Sequence, residues 1–157
     1  MKKLITSLLT VLVLASATAG PIPPGDGILG IWKTHDDQGK VDSHVEIYKE
    51  HDKYLAKIVS LTESNWPAGD DQGMAGKPKN DRKNPNPDLR SRPIVGMQIM
   101  HDCVYNAGKN IWVDGRIYDP ESGKTYKCKL SLTSPKTLEV RGFIGISLLG
   151  RTETWTR

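Results

Sequence analysis

The stretch Arg151-Thr-Glu-Thr-Trp-Thr-Arg157 alternates strictly. Arg151, Glu153, Trp155 and Arg157 take one face, and Thr152, Thr154 and Thr156 the other. A period of two with β-branched residues predicts a strand. No charged tail follows Arg157, so this end of the sequence is expected to be held by structure. A terminal strand leaves an open edge unless it has a neighbour on each side. The natural partner is the first regular stretch, Ile28-Leu-Gly-Ile-Trp-Lys-Thr34. Pairing the last strand with the first closes a sheet into a barrel.

Six further strands are expected between these two. They are residues 45–48, 54–61, 93–100, 111–118, 125–132 and 137–142. Residues 125–132 alternate most clearly, with Tyr126, Cys128, Leu130 and Leu132 on the inner face. Asp119-Pro-Glu-Ser-Gly-Lys124 is a hairpin turn, with Pro setting φ early and Gly supplying positive φ late. The fold class is therefore all-β, an eight-stranded antiparallel up-and-down barrel; a two-sheet sandwich is the alternative. One long loop, residues 62–92, separates strands 3 and 4 and holds Pro67, Pro78, Pro85 and Pro87. Loops of this length in compact domains are usually functional or mobile.

Residues 1–19 read as an export signal. Lys2 and Lys3 precede an apolar run, and Ala17-Thr18-Ala19 has the small-x-small cleavage pattern. The run is too short for a stable membrane span. Residues 20–27 form a breaker-rich lead, and 28–157 a single domain. Localisation is expected to be periplasmic or secreted. Without Lys2 and Lys3, 20 basic residues face 18 acidic ones, a net charge of +2. That balance gives no footprint for nucleic acid.

Four segments in order carry a resemblance. They are Gly30-x-Trp32, Asn84 to Pro93, Trp112 to Tyr126, and Val140 to Arg157. Together they resemble the family of small exported bacterial proteins known as domain of unknown function 2147. The resemblance implies a lipocalin-like barrel with no established activity. Gly-x-Trp on the first strand with Arg on the last is also similar to lipocalin-type barrels. It implies that Arg151 or Arg157 covers Trp32, a cation over an aromatic face worth roughly 0.5–2 kcal/mol. Gly30, Trp32, Arg151, Trp155 and Arg157 are accordingly assigned to barrel closure.

Arg90 and Arg92 flank Ser91 and would point the same way in an extended chain. Two guanidiniums can hold a carboxylate or phosphate through paired hydrogen bonds. With Trp112, Tyr118 and Tyr126 they form the candidate ligand site, at a mouth covered by residues 62–92. The alternative is that both arginines pair with Asp81, Asp88 or chain carbonyls and pin the loop. Cys103 and Cys128 suit an oxidising compartment, and both fall on inward faces. A straightforward register sets them several residues apart, so a disulfide is left open. Asp81, Asn84, Asn86 and Asp88 lack the Gly and Glu that a calcium loop needs. His35, His44, His51 and His101 lack zinc-ligand spacing, and no Gly-x-Ser-x-Gly elbow occurs.

The leading reading is a monomeric binding protein for a small amphipathic or anionic-headed apolar ligand, without metal or cofactor. A filled barrel that binds an envelope or extracellular protein is the second reading. An unrecognised hydrolase or isomerase is the third.

Overall fold

A computed structural model describes residues 20–157; residues 1–19, expected from the sequence to be an export signal, lie outside the described residues. Eight antiparallel strands close a barrel in chain order. They are β1 Gly30–His35, β2 Val41–Glu50, β3 Lys53–Leu61, β4 Gln98–Asn106, β5 Ile111–Asp119, β6 Lys124–Ser134, β7 Thr137–Phe143 and β8 Gly150–Thr156. The long loop runs from 62 to 97. The fourth strand starts five residues later than the apolar pattern suggests, because Gly96 turns the chain at φ 89°. Ile94 and Met97 are buried from that loop rather than from a strand.

Cross-strand pairs identify the inner face. Trp32 opposes Val45, Ile47 opposes Ala56, Leu130 opposes Val140, and Leu138 opposes Trp155. All eight are buried, so period-two patterning becomes one core along the lower barrel. Asp102 and Asp114 take positive φ, at 65° and 61°, where the β3–β4 and β5–β6 registers shift. Such bulges sharpen strand twist.

The end formed by the start of β1 and the β2–β3, β4–β5 and β6–β7 turns is closed. Residues 20–27 were expected as a lead without an element, but Asp26–Ile28 forms a 3-10 turn that plugs this end. Ile28 is fully buried, and its carbonyl accepts the indole N–H of Trp32 at 2.7 Å. Gly25 sits at φ 91°, and a Cβ there would meet the Tyr54 hydroxyl and the Tyr105 ring. Asp26 accepts hydrogen bonds from Tyr54 at 2.6 Å and Lys49 at 2.8 Å. The Lys49 hydrogen bond, then that of Tyr54, holds the Asp26 carboxyl below the usual range. Arg157 lies over Trp32 and donates to the carbonyls of Gly27, Leu29 and Pro135.

Candidate functional site in the upper barrel

The opposite end carries the long loop, the β1–β2 and β5–β6 turns and the β7–β8 loop. Inward residues here are more polar and more exposed. Thr34 and Ser43 face each other across β1 and β2, with their hydroxyl oxygens 2.7 Å apart. Lys33 pairs with Thr156, so the next step in register sets Thr34 beside Trp155. The Trp155 side chain is 2% exposed, yet its indole N–H has no partner. Native proteins rarely leave such a donor unsatisfied. Thr34, Ser43 and Trp155 thus set polar groups at the upper edge of the apolar core.

The wall above them is mixed. Ile117 opposes Tyr126, and Gly142 opposes both Cys128 and Arg151. Glu153 opposes the buried Val140 and so has inward parity, but it is exposed to solvent. Arg151 continues that face to the rim, where it meets Asp37 at 2.7 Å. A cleft of about 350 Å³ runs along the β1–β8 seam beside them, lined in part by His35, Arg151, Glu153 and Thr154. Only Lys33 and Thr156 pair directly across this seam among the described residues. Above them, His35 bridges the gap to the Thr154 carbonyl and the Thr156 hydroxyl.

The residues singled out in the sequence separate into different places. Tyr126 lines the inner wall. Tyr118 is its neighbour by turn but faces outward, because Tyr118 opposes Thr125 whereas Ile117 opposes Tyr126. The Tyr118 hydroxyl donates to Asp81 at 2.6 Å. Asp81 is fully buried and also receives Asn84 at 2.7 Å and the Arg92 guanidinium at 2.8 and 2.9 Å. Burial, reinforced by the Asp81 hydrogen bond, pushes the Tyr118 phenol up to about 12. Arg90 donates to the Asn84 carbonyl at 2.8 Å. Both arginines are thereby turned to the chain itself, and the Asp81 cluster pins the loop to Tyr118 on the outer side of β5.

Trp112 does not join this group. It stands at the closed-end start of β5, about 20 Å along the strand from Tyr118. There its N–H reaches the Gly25 carbonyl at 3.1 Å, and Tyr54 and Tyr105 pack on its ring. Of the two arginines offered as cover for Trp32, Arg157 occupies the position and Arg151 lies at the opposite rim. Trp66 is half-buried within the loop, with Arg82 stacked 3.5 Å from its ring centroid and its N–H on Asn80.

Cys103 and Cys128 are thiols with sulfurs 3.9 Å apart. A simple register separates them; the bulges at Asp102 and Asp114 bring them together across Gly115. A Cβ on Gly115 would overlap the Cys103 sulfur and lie 2.7 Å from that of Cys128. The hydrogen bond to Cys128, followed by burial, holds the Cys103 thiol far above its ordinary range. Among the described residues, no three His, Cys, Asp or Glu side chains gather as a metal site.

A closed meander with a plugged end, a Trp–Arg closure and a more polar opposite end defines the lipocalin-like barrels. The chain belongs to a bacterial family described as an uncharacterized protein conserved in bacteria, domain of unknown function 2147, which matches residues 30–157. A similar solved structure is protein HP1028 from the human pathogen Helicobacter pylori, described as belonging to the lipocalin family. The two chains are 30% identical, with a TM-score of 0.66 over 83% of this chain and 82% of that one. No curated protein matches.

Proposed function

We propose that this protein is an exported carrier that holds a small amphipathic molecule in the upper half of its barrel. The unpartnered indole N–H of Trp155, buried beside the Thr34–Ser43 hydroxyl pair, carries the reading. A ligand with a carbonyl, carboxylate or similar acceptor would take that hydrogen bond. Its apolar part would lie along Ile117 and Tyr126, which pack over the Gly142 backbone. Ligand pockets of this kind are mostly apolar, with a few placed polar groups. Arg90 and Arg92 contribute by holding the long loop against β5, and Arg151 and Glu153 set the charge at the rim. The family membership and the likeness to a lipocalin-family structure support a binding barrel, without naming the ligand.

The test is native mass spectrometry of protein purified without detergent, paired with titration of a fluorescent long-chain carboxylate. A discrete added mass, or saturable probe binding, is expected for the wild type and is expected to fall sharply in Trp155→Phe. That change keeps most of the ring and removes the donor. Bare protein with no probe binding would sink the proposal.

A further inference from the structure

We infer that the β7–β8 loop and the outer wall of β5–β7 dock the open end of this barrel onto an anionic phospholipid bilayer. The loop exposes four large aliphatic side chains together: Ile144 at 67%, Ile146 at 61%, Leu148 at 81% and Leu149 at 76%. Contiguous exposed apolar surface of this kind marks an interaction site more often than chance. The loop backbone is also prepared for an apolar medium. Arg141 donates to the carbonyls of Ser147 at 2.8 Å and Leu148 at 3.2 Å, and Leu149 N–H closes a turn on Ile146. Polar backbone groups left unsatisfied are what lipid penalises most.

The adjacent wall supplies the charge. Arg116 directly opposes Lys127, and Lys129 directly opposes Arg141. All four have outward parity, beside inward Gly115, Cys128 and Gly142. Like charges directly opposite one another destabilise a sheet, so this arrangement is a cost to the fold. Among the described residues, none of the four forms an ion pair. The carboxylate on the same outer face of β7 is Glu139, lower on the wall and opposite Ser131. Lys127 also opposes Phe143, where the apolar loop begins. Arg141 draws the loop onto this wall, so aliphatic and cationic groups share one side of the molecule. Apolar insertion joined to a basic patch is the physical recipe for peripheral binding to anionic lipid. The reading is independent of whether the lumen holds a ligand.

Co-sedimentation of the purified protein tests it, using vesicles of phosphatidylcholine alone and of phosphatidylcholine mixed with phosphatidylglycerol. Binding is expected to the mixed vesicles and to weaken as salt is raised. The triple change Ile146→Ser, Leu148→Ser and Leu149→Ser should weaken it roughly tenfold or more, with an unchanged melting curve because these side chains are already exposed. Lys127→Gln with Lys129→Gln should remove the preference for phosphatidylglycerol. Failure of the wild type to bind the mixed vesicles would overturn the inference, as would binding insensitive to salt and to both variants. A concentration-dependent dimer in light scattering, abolished by the serine changes and without vesicle binding, would reassign the face to contacts between copies.

Discussion

The Arg157 guanidinium lies 4.3 Å from the centroid of the buried Trp32 ring, while its nitrogens donate to three carbonyls of the closed end. One side chain thereby ties β8 to the turn before β1. Arg157→Ala is expected to cost about 2 kcal/mol, combining a cation–π contact with net hydrogen-bond terms near 1 kcal/mol each, reduced by solvent exposure. Arg157→Lys should recover only part, because an ammonium cannot reproduce the planar fork. Urea midpoints of the three proteins measure the difference.

Gly115 separates two sulfurs that leave no room for a methyl group. Gly115→Ala should destabilise the barrel by roughly 1–3 kcal/mol through overpacking. Adding Cys103→Ala should restore much of that loss, since it removes the atom most in the way. The coupling in a double-mutant cycle is the measurement; strictly additive losses would refute the steric account.

Asp81 gathers Tyr118, Asn84 and Arg92 in one buried cluster. Asp81→Ala should destabilise by roughly 3 kcal/mol, because it leaves Arg92 without its charge partner. Tyr118→Phe should cost about 1 kcal/mol. Hydrogen exchange is expected to rise in residues 78–93 while β6 and β7 stay protected. Uniform loss of protection would mean that the loop is not a separate unit.

The closed-end plug should be acid-sensitive. The Asp26 carboxyl is held below its ordinary 3.8 by Lys49 and Tyr54. A depressed carboxyl contributes stability that is fully present above the unfolded value and is lost as pH falls through the folded one. Wild-type stability should therefore decline below about pH 4. Asp26→Asn should be less stable at neutral pH and show a shallower acid decline. Equal acid slopes for the two proteins would remove Asp26 from the explanation.

Much of the fold was legible because one face of each strand is buried. Tyr126, Cys128, Leu130 and Leu132 announce their face by simple alternation, and the β8 alternation anticipates closure. The bulges were hidden. Asp102 and Asp114 look like ordinary strand residues, and only their backbone angles shift the register that unites the cysteines. The candidate site was read less well. Tyr118 and Tyr126 sit on either side of one turn, but their opposed facing depends on pairing, which sequence proximity does not reveal. Arg90 and Arg92 were visible as a charged pair, and of their two readings the structure takes the alternative, with Arg92 on Asp81 and Arg90 on the Asn84 carbonyl. Thr34 and Ser43 did leave a signal. Each is a polar residue at an inward parity position, next to the apolar inward residues Trp32, Val45 and Ile47. The orphan N–H of Trp155 left none, since any buried tryptophan can find a partner.

The β1–β8 seam also bears on how the molecule comes to be made. His35 and Thr156 touch across a separation of 121 residues. Until β8 has been synthesised, β1 offers an unsatisfied edge to any passing strand. Contacts of such long range slow folding and prolong that exposure. The assembling chain therefore passes through an open sheet whose two edges can pair with other copies until β8 meets β1.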